Sequence, residues 1–167
     1  NTSTFADALV SDAVHPDIPS SQRLFEPLLG SWHLEVKWFD ESGQLVRRQD
    51  GEWHFSRVLE GRAIQDVWIV PSRGQRGQDD YEYGTSIRFY DPALGGAIDW
   101  IGPMRSAVLT FTGRGIDDTI LLETTPEVKV SRRWIFRDIT ASSFRWTNEE
   151  FIDGRWRIVQ TFDATRA

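Results

Sequence analysis

From Gly30 to its end, the chain alternates apolar and polar residues with a period of two, and this constrains the fold more than any other feature. The first run is the clearest: Trp, Leu, Val and Trp occupy even positions 32 to 38, with His, Glu and Lys between them. Side chains of a β-strand point alternately to opposite faces, so the run predicts a strand with one apolar face. We expect that face to line a core.

Turn residues divide the rest of the pattern into short runs, with no helical spacing between them. The strongest turn is Asp153-Gly154 between two alternating runs, since glycine tolerates the positive φ that a tight hairpin needs. Regular spacing of this kind predicts an all-β, antiparallel barrel or sandwich of about 8–10 strands. The predicted strands cover residues 32–39, 44–58, 63–70, 85–91, 97–101, 107–112, 119–123, 128–139, 143–152 and 155–163.

The first 29 residues have a different pattern. Residues 4–14 have loose helical spacing, two X-Pro pairs then interrupt it, and the apolar residues between Leu24 and Leu29 share one helical face before Gly30. We therefore predict a helical N-terminal segment, residues 1–29, that packs on a β-barrel domain, residues 30–167. The polar, glycine-containing stretch 71–82 is predicted to be a loop at the rim.

Aromatic residues are unusually abundant, with 8 Trp and 10 Phe in 167 residues. Burying one such side chain is worth roughly 4–6 kcal/mol at about 25 cal/mol per Å², so most should face the interior. They either fill the barrel or line a cavity inside it, and the sequence leaves both open. The residues assigned inward are Trp32, Leu34, Val36, Trp38, Trp53, Phe55, Ile87, Phe89, Ile98, Trp100, Leu109, Phe111, Trp134, Phe136, Phe144, Trp146, Trp156, Ile158 and Phe162.

Composition narrows the classes of partner. A net charge of −6 is poorly suited to binding nucleic acid, and no apolar run approaches the 18 residues of a membrane span. The absence of cysteine excludes disulfides and thiolate metal sites and fits the cytoplasm. The chain starts at Asn1, which leaves a removed signal peptide open. We predict a small-molecule ligand, no cofactor, no metal, and a homodimer only as an alternative.

The segment Gly30-Ser31-Trp32 resembles the Gly-x-Trp opening of the calycin superfamily, which includes the lipocalins. The resemblance implies a calycin-like β-barrel in which Trp32 lies across a closed end. It also implies that a basic residue late in the last strand packs over that ring. Arg166 is placed to do so, and an Arg on an indole face is favourable.

Most of the chain after Gly30 is also similar, in short segments, to the DUF1579 group of bacterial calycin-like proteins. That group has no common known activity, so the resemblance implies a fold and not a function. The similar segments are residues 28–32, 59–62, 89–92, 137–140, 144–146 and 153–156.

Candidate ligand contacts come from rings and amides on inward positions. The amides are those of Asn148 and Gln160. A buried amide without a hydrogen-bond partner costs about 1–3 kcal/mol, so each should either bond a neighbouring residue or orient a ligand. The candidates are Trp38, Trp53, Trp68, Trp100, Trp146, Asn148 and Gln160, and core filling is an equal alternative for each ring.

Catalytic candidates are fewer: Asp66, Tyr90 and Gln160. Burial would raise the pKa of the Asp66 carboxyl and make it an acid or base, but the sequence around it is apolar on both faces. Whether Gln65 or Asp66 faces inward is therefore left open, and a surface salt bridge is the favoured expectation for Asp66.

Two further groups are expected to lie outside the barrel. His33 and His54 face outward, and a metal site using them with Glu35 or Glu52 is disfavoured because no third ligand is compelling. Six arginines crowd the last three strands, where a solvated face is favoured over a patch for carboxylate or phosphate. These are Arg132, Arg133, Arg137, Arg145, Arg155 and Arg157.

These observations lead to three hypotheses for the function. The favoured one is binding of a small, largely apolar or aromatic molecule inside the barrel. The alternatives are a pocket enzyme of the isomerase, cyclase or hydratase type on the same barrel, and a dimerising interaction protein whose barrel is filled.

Overall fold

A computed structural model describes residues 4–75, 81–93 and 95–167. These residues form one closed barrel of ten antiparallel strands, which confirms the predicted all-β fold. The strands are β1 (Gly30–Phe39), β2 (Leu45–Val58), β3 (Ala63–Val70), β4 (Glu82–Asp91), β5 (Gly95–Gly102), β6 (Ala107–Ile116), β7 (Thr119–Thr124), β8 (Arg132–Arg137), β9 (Ser143–Ile152) and β10 (Arg155–Arg166).

The barrel is a simple meander. Each strand pairs with its neighbours in sequence, and β1 pairs with β10 to close the ring, with Trp32 opposite Arg166. Because the strands alternate in direction, the barrel has two distinct ends. We call the end where β1 begins and β10 finishes the closed end, and the end where β1 finishes and β10 begins the open end.

The closed end is covered by residues 4–29, which we call the cap segment. It contains one short helix, α1 (Thr4–Leu9), and two 3₁₀ turns, Ser20–Gln22 and Glu26–Leu28. The short helix predicted between Ser20 and Gly30 is thus present only as two separate 3₁₀ turns, and Pro27, which cannot donate a backbone hydrogen bond, lies in the second of them. Phe25 and Leu28 of the cap segment are buried in the core.

Trp32 and Arg166 join the cap segment to the barrel. The Trp32 indole is fully buried and donates to the Leu28 carbonyl at 2.8 Å, and the Arg166 guanidinium lies 4.1 Å from its ring centre. Arg166 also donates to the Leu29 carbonyl at 2.7 Å. Gly30 is needed here, since its φ is +111° and a Cβ would collide with the Arg166 guanidinium.

Strand β4 faces the opposite way to the sequence prediction. Ser86 and Arg88 point inward and are 1% exposed, whereas Phe89 is 46% exposed and Ile87 shares its outer face. The prediction placed the apolar residues inside, but the interior at this point accommodates a buried ion pair instead. The pair is formed by Arg88 and Asp66 of β3.

The start of β10 was also assigned to the wrong face. The register shifts between Ile158 and Gln160, which leaves Val159 as an extra residue in β10. Such a bulge reverses the side chain alternation. Trp156 and Ile158 therefore lie outside, with Ile158 45% exposed, while Gln160 and Phe162 lie inside.

The loop predicted at 71–82 is described only in part. Residues 73–75 form a 3₁₀ turn, and residues 76–80 lie outside the described residues. None of the helices within the described ranges has the length and apolar character to cross a bilayer.

Candidate ligand-binding site

The barrel interior is not completely filled. A cavity of about 270 Å³ remains in its open half. The cavity is lined by Trp53, Trp68, Glu82, Ser86, Trp100, Arg105, Ala107, Leu109, Arg132, Trp134, Trp146, Asn148, Glu150, Gln160 and Phe162. The closed half, by contrast, is packed with the rings of Trp32, Phe136 and Phe144.

Five rings in the cavity wall contact one another in a closed circuit, which we call the aromatic belt. They come from inward positions of β3, β5, β8, β9 and β10. The centre-to-centre distances are 5.9 Å for Trp68–Trp100, 6.1 Å for Trp100–Trp134, 5.5 Å for Trp134–Trp146, 4.1 Å for Trp146–Phe162 and 6.3 Å for Phe162–Trp68.

One glycine makes room for the belt. Gly84 lies beneath the Trp100 ring, and a Cβ at this position would overlap the edge of the indole. Glycine in the middle of a strand often marks such a close approach. The ring of Trp100 can therefore lie against the backbone of β4 and leave the space in front of it open.

Several polar atoms of the lining residues are buried without a hydrogen-bond partner in the described part of the chain. They are the indole nitrogens of Trp53, Trp68, Trp134 and Trp146 and the side chain oxygen of Asn148. The Asn148 amide nitrogen donates only a long bond, 3.5 Å, to Gln160. A buried polar group without a hydrogen-bond partner costs about 1–3 kcal/mol of stability, so these atoms destabilise the free protein.

Charged residues surround the mouth of the cavity. Arg105 pairs with Glu82 at 3.1 Å, and Arg132 pairs with Glu150 at 3.3 Å. Glu82 is on β4 and Glu150 on β9, five positions apart in a ring of ten strands. The two ion pairs therefore face each other across the opening.

Ser86 lines the floor of the cavity and also belongs to a buried polar cluster with Asp66 and Arg88. The Ser86 hydroxyl donates to Asp66 Oδ2 at 2.5 Å, and Arg88 Nη2 donates to the same oxygen at 2.7 Å and to Ser86 Oγ at 2.6 Å. Asp66 is 1% exposed, so the expectation that it forms a surface salt bridge was wrong. Of Gln65 and Asp66, it is Asp66 whose side chain faces the interior. The carboxylate is already committed to Arg88 and lies behind Ser86.

The structure brings together six of the seven predicted ligand contacts. Trp53, Trp68, Trp100, Trp146, Asn148 and Gln160 all line the cavity. Trp38 is near the same end but outside the lining, with the Arg47 guanidinium 4.5 Å from its ring centre. Contact with a ligand stays a prediction for all seven.

The catalytic candidates are not brought together. Gln160 lines the cavity, Asp66 is behind its floor, and Tyr90 lines a separate cavity of about 40 Å³ beneath the cap segment. Arg132 lines the cavity, so the solvated face expected for the six arginines was wrong for this residue. The alternation of β8, in which Arg132 shares the face of Trp134, was the available signal for its position. Sequence reasoning also missed other lining residues, namely Glu82, Ser86, Arg105, Ala107 and Glu150.

His54 takes part in a network on the outside of the barrel. Its Nδ1 is 2.8 Å from the Ser31 hydroxyl and its Nε2 is 2.7 Å from Glu52. Arg73 also donates to Glu52, and this bond lowers the pKa of the Glu52 carboxyl to about 2. No group of three metal-ligating side chains suited to a metal ion occurs among the described residues.

Comparison with solved structures identifies the architecture. An S-type phycobiliprotein lyase, CPES, from Guillardia theta has a similar fold, with a TM-score of 0.58 and 14% identity over 86% of this chain and 90% of that chain. A redesigned β-barrel matches with a TM-score of 0.38 and 14% identity over 89% of this chain and 99% of that one. At this identity the first match shows a shared lipocalin-like fold alone.

No family model and no curated protein matches the sequence. Membership of the DUF1579 group therefore stays a prediction.

Proposed function

We propose that this barrel binds one small, largely apolar or aromatic molecule in the cavity at its open end. The observation that carries the proposal is the aromatic belt, a closed circuit of five rings around space that the protein leaves unfilled. Protein interiors are normally close-packed, so a cavity of about 270 Å³ is unusual and supports a site for a bound molecule.

The size and chemistry of the site agree with this proposal. Small-molecule pockets are about 300–1,000 Å³, mostly apolar, with a few polar groups that orient the ligand. This cavity is near the lower limit, which favours a molecule of one to three rings. The fold likeness to a phycobiliprotein lyase supports a small-molecule role for such a barrel.

The pocket-enzyme alternative receives less support from the geometry. Asp66 is neutralised by Arg88, and Tyr90 is at the other end of the barrel. Binding requires neither residue to reach the ligand.

A neutral aromatic probe, N-phenyl-1-naphthylamine, tests the proposal. We expect saturable one-to-one binding that raises the probe's fluorescence and quenches tryptophan emission. Trp100→Leu should weaken binding by roughly tenfold, because an aromatic contact contributes about 0.5–1.5 kcal/mol beyond its buried area. Trp100 is only partly buried, so the variant should fold.

The matched control is Trp156→Leu, which removes an indole from the outer face of β10. It should leave the affinity for the probe unchanged. Absence of saturable binding, or equal loss in both variants, would contradict an interior site.

A further inference from the structure

We infer that the ligand carries an acidic group, and that Arg132 holds this oxyanion at the mouth of the cavity. The inference rests on the proposed function and specifies the chemical class of the ligand. It is carried by the position of Arg132 in the cavity lining and by the long bonds that its guanidinium makes within the protein.

The lining contains two arginines, Arg105 and Arg132. An arginine only donates hydrogen bonds and keeps its positive charge, so the ligand group that it binds best is an oxyanion. The unpartnered indole nitrogens of the wall do not add to such a site, because they are fully buried and a molecule in the cavity does not reach them.

Of these two arginines, Arg132 is the better placed to bind an oxyanion. It lines the cavity, and its side chain is 24% exposed, compared with 56% for Arg105 across the mouth. Partial burial matters because a charge pair that is less exposed to water is less screened. An oxyanion beside Arg132 would thus gain more than one beside Arg105.

The bonds that Arg132 makes within the protein are long. Its Nε donates to Glu150 at 3.3 Å and its Nη1 to the Val130 carbonyl at 3.3 Å, whereas charge-assisted bonds are normally about 2.7–2.9 Å. Its neighbour Arg133 is bound tightly on the outer face. There its Nε donates to Glu149 at 2.5 Å and its guanidinium lies 4.2 Å from the ring centre of Trp156.

Glu150 then acts as an internal competitor. Its carboxylate occupies one edge of the Arg132 guanidinium, and a ligand oxyanion could share or replace it. Guanidinium groups bind carboxylates and related oxyanions through two parallel bonds, a geometry that the single 3.3 Å contact to Glu150 does not use. This arrangement predicts opposite effects for substitutions at the two positions.

Two probes with the same ring system separate charge from shape. The anion 1-anilinonaphthalene-8-sulfonate carries a sulfonate that N-phenyl-1-naphthylamine lacks. We expect Arg132→Met to weaken binding of the anionic probe by roughly tenfold, the scale of a partly exposed charged bond, with little change for the neutral probe. Glu150→Gln should strengthen binding of the anionic probe alone.

Arg145→Met is the matched control, because Arg145 is exposed on the outer face of β9 and pairs with Asp163. It should change neither affinity. Unchanged binding of the neutral probe also shows that each variant retains its cavity.

The results distinguish the two proposals. If the neutral probe binds and Arg132→Met leaves the ratio of the two affinities unchanged, the oxyanion site is overturned and the ligand-binding proposal survives. If neither probe binds the wild-type protein, both are overturned. Loss of anionic-probe affinity in Arg132→Met and its gain in Glu150→Gln would establish the oxyanion site.

Discussion

At the scale of single residues, the cluster of Asp66, Ser86 and Arg88 is the most demanding feature of this barrel. Two opposite charges lie in an aromatic interior, with the Arg88 guanidinium 5.1 Å from the ring centre of Phe55 and 5.5 Å from that of Phe25. Each charge is tolerable only because of the other, since an isolated buried ion is costly to desolvate. Sequence reasoning missed this pair, because a polar residue on an apolar face shows a partner only in three dimensions.

A double-mutant cycle tests the coupling between the two charges. Arg88→Met should lower the free energy of unfolding by about 3–5 kcal/mol, because it leaves the Asp66 carboxylate buried and unpaired. The double variant Asp66→Asn/Arg88→Met should recover most of this loss. Urea unfolding of Asp66→Asn, Arg88→Met and the double variant measures the coupling. A double variant as destabilised as the sum of the two single variants would show that the charges are not coupled.

At the scale of elements, the bulge in β10 determines which residues face the cavity. Positions 156, 158, 160 and 162 would share one face of a regular strand, but the extra residue at 159 divides them. Gln160 and Phe162 thereby reach the cavity while Trp156 packs outside on Arg133. Without the bulge the Trp156 indole would share the inward face of Gln160 and Phe162.

Because of the bulge, truncation of Phe162 and of Ile158 should lower the free energy of unfolding by different amounts, although both are at even positions of β10. Phe162→Ala should lower the free energy of unfolding by about 3–5 kcal/mol, since it empties a position that is 2% exposed. Ile158→Ala, at a position that is 45% exposed, should cost less than about 1 kcal/mol. Equal losses in chemical denaturation would mean that both side chains face the core.

At the scale of the whole molecule, the closed end of the barrel is densely packed whereas the open end contains the cavity. The cap segment and the packed rings of Trp32, Phe136 and Phe144 stabilise the closed end. The open end has the cavity and its charged mouth. A barrel of ten strands can hold both because its interior is wider than eight strands would enclose.

This division predicts that stability and binding can be changed separately. Phe25→Ala in the cap segment should lower the free energy of unfolding by about 3–5 kcal/mol, because the ring is 5% exposed. The affinity of the folded variant for N-phenyl-1-naphthylamine should not change. A parallel loss of affinity, measured by titration at a temperature where the variant is folded, would show that the two ends are coupled.

The sequence by itself determined the strands, their antiparallel hairpins and the aromatic character of the interior. These features depend on local signals: a period of two, turn residues such as Asp153-Gly154, and the abundance of Trp. It also pointed to six residues that line one cavity, because the alternation assigned most strands to the correct face. Only the tertiary structure decided the face of β4, the bulge in β10, and the meeting of five rings around unfilled space. Each of these depends on which strand is adjacent and in what register, and no single segment of the chain contains that information.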